Sequence, residues 1–174
     1  MTHSSTRSPV VARLSSELFA RLRAAAALSP TGRARVCLHQ DHADQVQEML
    51  IAFVRNSLVR PHRHPGKCES FHIVEGDIVV LVFDDEGRVI DRVEMSPPGG
   101  GETFLYRLAP NSWHSVVLRG DSAILHEVTA GPFRPGEDDF APWAPSDPGA
   151  LRTFLGTHAG LRPHREGSGA AAPR

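Results

Sequence analysis

The chain has 174 residues, 40% of them hydrophobic, which is enough for one domain with a single core. Nineteen Lys and Arg residues nearly balance 20 Asp and Glu residues, for a net charge of -1, and this argues against partners such as nucleic acid or an acidic membrane. The polar N-terminus and the lack of a long apolar run argue against a secretory signal and a membrane span. Cys37 and Cys68 are the only cysteines, too few for a disulfide framework, so we expect a cytoplasmic protein.

The first predicted element is a helix. Ser15 and Ser16 are candidate N-caps, and Leu18, Leu22 and Ala26 recur every fourth residue before a Ser-Pro-Thr-Gly segment. This pattern predicts one short amphipathic helix near the N-terminus.

The following hundred or so residues are typical of an all-β domain, because short runs of Val, Ile, Leu and Phe alternate with clusters of Gly, Pro, Asp and Asn. We predict strands over residues 34–39, 45–53, 58–63, 69–75, 78–83, 89–95, 103–109, 114–118 and 123–129. So many short strands indicate a sandwich or a barrel.

Five prolines between residues 132 and 148 predict an irregular segment that wraps over the barrel without joining it. The predicted domain organisation is an N-terminal arm and helix over residues 1–32, the barrel with its C-terminal wrap over 33–148, and a flexible tail over 149–174. The Gly, Ala, Ser and Pro content of residues 163–174 predicts disorder there.

The segment Arg-Pro-His-Arg-His-Pro-Gly-Lys-Cys-Glu over residues 60–69 holds the first candidate metal ligands. His62 and His64 are two residues apart, so in an extended segment their imidazoles project from the same face. After a turn at Pro65 and Gly66, the period of two places Glu69 on the same face as the apolar residues of the next strand.

His114 opens a later strand and shares its face with Val116 and Leu118, so it can also face the interior. Three imidazoles and one carboxylate would bind one divalent transition ion and leave one or two positions open for water or substrate. The alternative is a histidine-rich loop and a half-buried histidine without a metal, but the agreement of spacing and strand face favours a metal site.

This pattern resembles the cupin superfamily, whose first motif is His-x-His, Glu and then Gly, and whose second motif supplies a further His. The matching residues are His62, His64, Glu69, Gly76 and His114. The resemblance implies a jelly-roll barrel with the metal inside it, bound by these three histidines and the glutamate. Asn56 stands where a glycine is usual, and the second motif is one residue shorter than usual.

The sequence motifs resemble more closely those of one subgroup, the WbuC-type cupin metalloproteins found among bacterial polysaccharide genes. The residues that carry this resemblance are Arg35 with His39, Gln47 with Met49, Arg60 to Pro65 with Lys67, Phe83 to Gly87, Trp113, Gly131 to Phe133, and Trp143 to Pro145. Cys37 differs from the asparagine expected in that subgroup.

Other polar residues are candidates for binding or proton transfer. Arg60 and Lys67 are candidate substrate-binding residues, because both flank the histidine motif and suit a carboxylate or phosphate. Lys67, Tyr106 and His39 are the candidate proton-transfer groups. His39 is alternatively a fourth imidazole at the barrel mouth, a hydrogen-bond partner of a metal ligand or a surface residue, and Cys37 is either a structural thiol or a ligand.

The sequence therefore predicts an all-β protein with a single jelly-roll cupin barrel, a short N-terminal helix and a Pro-rich C-terminal wrap. Its expected cofactor is one divalent ion of Fe, Mn, Ni, Co or Zn, since all accept this ligand set. The first functional hypothesis is an enzyme, an isomerase, epimerase or oxygenase, acting on a small polar molecule such as a sugar or sugar nucleotide. The second is a sugar- or carboxylate-binding module without catalysis. Exposed sheet edges are compatible with a homodimer.

Overall fold

The computed structural model describes residues 11–101 and 103–161, and within them the fold is two packed antiparallel sheets with a helix outside each. The elements are α1 (Ser16–Leu28), β1 (Arg33–Cys37), β2 (Val46–Val54), β3 (His62–Arg63), β4 (Glu69–Glu75), β5 (Ile78–Phe83), β6 (Val89–Met95), β7 (Leu105–Leu108), β8 (Trp113–Leu118), β9 (Ser122–Ala130), β10 (Asp139–Phe140) and α2 (Pro148–His158). The strand order is β1-β2-β9-β4-β7 in the first sheet and β10-β3-β8-β5-β6 in the second.

The main core lies between the two sheets. Alternate residues of the strands meet there, among them Ile73, Ile78, Val80 and Leu125, which are fully buried. Two further clusters lie outside the sheets, one under each helix. The barrel is therefore apolar on both its inner and its outer faces, as expected where helices cover the sheets.

Helix α1 forms as the sequence predicts. Ser15 is the N-cap, and its side chain accepts a hydrogen bond from the Leu18 backbone amide at 3.3 Å. Leu22 and Ala26 are buried against the first sheet, where they meet Leu50.

Several strand predictions agree with the structure to the residue, namely β4, β5 and β6. The predicted strand over residues 58–63 is wrong in length, since only His62 and Arg63 are paired. Pro61 lies in this segment and lacks a backbone donor, which limits the ladder.

The C-terminal part differs from the prediction in two places. Asp139 and Phe140 join the second sheet by pairing with β3, although the segment was expected only to wrap over the barrel. This pair lies between Pro135 and Pro142 and is free of proline, so its amides can pair.

The second difference is helix α2, which occupies most of residues 149–161, where a flexible tail was predicted. Asp147 is its N-cap, Pro148 is in the first turn, and Leu151 and Leu155 are buried against the second sheet. The predicted disorder over 163–174 lies outside the described residues. Neither helix in the described part of the chain has the length and apolarity needed to cross a bilayer.

Candidate metal centre

Three imidazoles converge at one end of the barrel. His62 on β3 is directly opposite His114 on β8, and His64 follows β3 immediately. One ring nitrogen from each of the three lies within 4.8 Å of the others. The short β3 ladder thus brings the two sequence motifs, 50 residues apart, into one site.

Hydrogen bonds fix the orientation of all three rings. The Nδ1 atoms of His62 and His114 lie 3.0 and 3.1 Å from the carbonyl oxygens of Arg60 and Ser112. His64 Nδ1 lies 2.6 Å from Oδ1 of Asp138. Because these oxygens only accept, each Nδ1 carries the hydrogen, and each neutral ring keeps Nε2 as a bare acceptor.

Glu69 lies at the start of β4 and is 3% exposed. Its Oε1 is 3.2 Å from His64 Nε2, and its Oε2 is 3.0 Å from His114 Nε2. Yet His64 Nε2, Glu69 Oε2 and His114 Nε2 are buried without a hydrogen bond of good geometry to any residue that the structure describes. Since buried polar atoms rarely lack partners, these orphaned ligand atoms fit a divalent ion.

Burial and neighbouring charges shift the pKa values of the site residues in different directions. Burial, together with the nearby His114 ring, lowers the pKa of His62 to about 4. Burial opposes protonation of His64, but the close carboxylate of Glu69 and the charge and hydrogen bond of Asp138 outweigh it and raise the pKa of that ring to about 9. Burial likewise opposes ionisation of Glu69, but His114 and His64 hold the pKa of its carboxyl well below the usual range. The carboxylate is therefore charged at neutral pH and attracts a cation.

A cavity of about 450 Å³ opens beside the imidazoles. Its walls include Ile51 and Phe53 of β2 and Val116 of β8, which are apolar. On the β1 side the cavity is lined by Arg33, Arg35 and Cys37. A volume of this size suits a small molecule.

The loop 39–45 lies at the rim of this cavity and is held by hydrogen bonds from a buried side chain. Gln47 is 2% exposed, and its amide donates hydrogen bonds to the carbonyl oxygens of Asp41 at 3.1 Å and Asp44 at 2.9 Å. The segment at Phe133 contacts the same loop, because the Phe133 amide donates a hydrogen bond to the His42 carbonyl oxygen at 2.8 Å. We call residues 39–45 with Phe133 the rim.

The predicted substrate-binding residues both line the cavity but have other contacts. Lys67 Nζ donates to the Pro132 carbonyl and to Glu137 Oε2, each at 2.6 Å. The Arg60 guanidinium lies 5.5 Å from the centre of the Phe140 ring.

The other candidates fall in two places. His39 lines the cavity, with Nδ1 against the backbone of Glu48. The Tyr106 hydroxyl is buried and packs in the core, outside the cavity lining, with Phe71 edge-to-face at 5.4 Å. Cys37 lines the cavity, whereas Cys68 accepts a hydrogen bond from Arg107 at 2.8 Å.

Sequence reasoning missed two carboxylates of the site. Asp138 lies 74 residues beyond His64, in the segment predicted only to wrap, and no local motif connects the two. Glu127 lines the cavity from β9. Its strand parity, opposite to that of His126, was the available signal, since Leu125 on the same face is a core residue.

Comparison with known proteins supports the fold. Residues 14–95 match a family described as a domain of unknown function (DUF6016). No curated protein matches this sequence.

Solved structures resemble the chain more broadly. A Shewanella oneidensis protein has 10% identity over 75% of this chain and 87% of its own, with a TM-score of 0.53. A recombinant oxalate oxidase in complex with glycolate has 16% identity over 76% of this chain and 75% of its own, with a TM-score of 0.50. A Klebsiella pneumoniae protein with a double-stranded β-helix domain has 13% identity over 63% and 79%, with a TM-score of 0.48. The first two, with the observed sheets, confirm the predicted jelly-roll barrel.

Proposed function

We propose that this protein is a metal-dependent enzyme that acts on a small polar molecule in the barrel cavity. The proposed ligands of its ion are His62, His64, Glu69 and His114. The observation that carries the proposal is the set of three imidazoles whose Nδ1 atoms are each bound to an oxygen while their other nitrogens converge. Histidines oriented in this way are typical of metal ligands.

The donor set limits the chemistry. Three nitrogens and one carboxylate suit Fe, Mn, Ni, Co or Zn and leave one or two positions for a ligand. A bound divalent ion would supply Lewis acidity to a ligand oxygen or lower the pKa of a water molecule. The apolar wall formed by Ile51, Phe53 and Val116 would exclude water around the ligand.

Glu127 supports an enzymatic role. Burial, reinforced by the charge of Glu69, raises the pKa of its carboxyl to about 8. This carboxyl therefore holds a proton near neutral pH and is able to donate it from the cavity wall. It is a better candidate for proton transfer than Lys67, whose ammonium group is held by Glu137.

The second candidate function is a binding module without catalysis. The contacts of Lys67 favour it, since its ammonium group is held by Pro132 and Glu137 and is not left available to move a proton. Replacement of Glu127 by glutamine separates the two functions once a ligand is known, because a binding module would keep its affinity and an enzyme would lose turnover.

Finer assignments rest on the sequence motifs. The WbuC-type resemblance supports a sugar or sugar nucleotide from polysaccharide synthesis as the ligand and a cytoplasmic location. A homodimer is supported by the edge strand β7, where Leu105 is 53% exposed. The near-neutral charge of the chain supports a small-molecule partner over nucleic acid.

The metal content of the purified protein tests the proposal. The protein is purified without chelator or metal resin, and its transition metals are measured by mass spectrometry beside His64→Ala and His126→Ala. His126 is the matched control because it binds Glu48 on the outer face of the sheet at 2.8 Å. We expect about one ion per chain in the wild type and in His126→Ala, and none in His64→Ala. Absence of metal from the wild type, even after reconstitution, would overturn the proposal.

A further inference from the structure

Two arginines on β1 face the cavity from its open side. Arg33 and Arg35 are two residues apart, so the period of two places both side chains on one face of the strand. The residues between and after them, Ala34 and Val36, pack on the opposite face in the cluster under α1. Arg33 is half-buried, and Arg35 is exposed at the mouth of the cavity.

The two guanidinium groups make no hydrogen bond or ion pair with the residues that the structure describes. Their neighbours across the ladder are Phe53 opposite Arg33 and Ile51 opposite Arg35, which offer no acceptor. Burial and then the charge of Arg35 lower the pKa of Arg33, and the charge of Glu127 opposes this. Two adjacent guanidinium groups therefore border the cavity with their hydrogen-bond donors unused, and Glu127 acts on them only through its charge.

The carboxylates of the cavity are engaged elsewhere. Glu69 lies against His64 and His114, and Asp138 binds His64. Glu127 interacts with both arginines through its charge and forms no hydrogen bond or ion pair with either in the described structure. The guanidinium donors of Arg33 and Arg35 are thus available to a ligand, whereas Arg60, the other arginine of the cavity, contacts Ala141 and Phe140.

We infer that Arg33 and Arg35 form an anion-binding subsite, and that the ligand of this cavity is a small organic acid carrying a carboxylate or phosphate. Guanidinium groups bind both anions through paired hydrogen bonds. The acid group would contact the β1 wall while a ligand oxygen faces the imidazoles across the cavity. This inference deepens the proposed function and rests on it for the position of the second contact.

Binding of anionic probes to arginine variants tests the subsite. The probes are D-glucuronate for a carboxylate, inorganic phosphate for a phosphate, and D-glucose as the neutral counterpart of glucuronate. Each is titrated calorimetrically into the wild type, Arg33→Gln, Arg35→Gln, the double variant and Arg21→Gln. Arg21 is the control for lost charge, because it lies on the exposed face of α1 and pairs with Glu17.

We expect saturable binding of glucuronate or phosphate, about tenfold weaker in each single variant and unchanged in Arg21→Gln, with no binding of glucose. The acid that binds more tightly identifies the chemical class. The inference is overturned if neither anion binds better than glucose, or if the arginine variants bind as the wild type does. It is also overturned if they only aggregate, because inward charges on an edge strand can serve to prevent strand pairing.

Metal content measured on the same samples separates this inference from the proposed function. Arginine-dependent anion binding without any metal leaves the subsite standing and overturns the metal enzyme. One ion per chain, together with anion binding that does not depend on the arginines, overturns the subsite and leaves the metal site standing. Arg33 and Arg35 lie outside the proposed ligand set, so the metal content of their variants is expected to equal that of the wild type.

Discussion

The two faces of the sheet β1-β2-β9-β4-β7 have opposite chemistry, although the same strands supply both. The face under α1 is built from Leu50, Ala52 and Ile124, which are fully buried and apolar. The face toward the barrel interior carries Glu69 and Glu127 and borders an open cavity. The sheet is thus closed and apolar where it meets the helix, whereas its inner face combines an apolar core with polar groups and an open cavity at the end that holds the imidazoles.

Because successive side chains of a strand point to opposite faces, alternate residues of the same strand contribute to stability on one face and to ligand binding on the other. A substitution at one position affects the closed face, and a substitution at the next position affects the cavity. The two functions can therefore be tested with neighbouring residues of the same strand.

The largest effect on stability is expected at Leu50. Leu50→Ala removes a fully buried side chain from the closed face and should lower the free energy of unfolding by about 2–5 kcal/mol. The next residue, Met49, already borders the cavity, so Met49→Ala should cost less. Urea unfolding of both variants measures the difference, and metal content should stay unchanged in Leu50→Ala. Equal losses at the two positions would contradict the contrast between the faces.

A smaller effect, on the cavity face only, is expected at Asp138. Asp138→Asn weakens the acceptor that orients His64 and should lower metal affinity about 10- to 100-fold. Asp139→Asn is the matched control, because Asp139 pairs with Arg63 at 2.9 Å and has no contact with the imidazoles. Competition with a metallochromic chelator measures both affinities. If the two variants lose affinity alike, His64 is not oriented by Asp138.

Metal affinity should also depend on pH. His64 has a pKa of about 9 without a metal, so at neutral pH an ion must displace its proton. His62, with a pKa of about 4, has already lost its proton. Affinity should therefore rise about tenfold per pH unit between roughly pH 6 and 8 and fall as the pH is lowered. The same chelator competition at several pH values measures the slope, and a flat profile would contradict the assigned protonation of His64.

The smallest effect is expected at Tyr106. Its hydroxyl is buried without a hydrogen-bond partner among the described residues, so Tyr106→Phe removes an unsatisfied group. We expect the free energy of unfolding to stay the same or rise by about 1 kcal/mol, with metal affinity unchanged. Thermal unfolding and metal content measure this. A clear loss of either would mean that the phenol has a role in the site.

The sequence predicted the parts of the fold that local patterns specify. Strands β4 to β6 are bounded by turn residues and rich in Val and Ile, and they form where expected. Helix α2 was missed because Gly149 and Gly156 weaken its helical pattern, although Asp147 and Pro148 are a start signal. The stability of α2 comes instead from Leu151 and Leu155 packing on the second sheet, which depends on tertiary structure.

The candidate site shows the same division. His62 and His64 were identified by spacing, and Glu69 and His114 by strand parity, and the structure brings all four together. Arg33, in contrast, lies just before the predicted strand 34–39, and only the pairing of β1 with β2 puts it beside the cavity. Contacts between distant segments are set by sheet topology, which no local pattern encodes.

The rim has a consequence for how a ligand enters. Gln47 holds the loop 39–45 through an internal side chain, and that loop in turn binds the segment at Phe133. The conformational entropy of the cavity mouth is thus lost when the chain folds and not when a ligand arrives. A small acid therefore meets a preorganised opening, and its association should be limited by diffusion and charge attraction more than by loop closure.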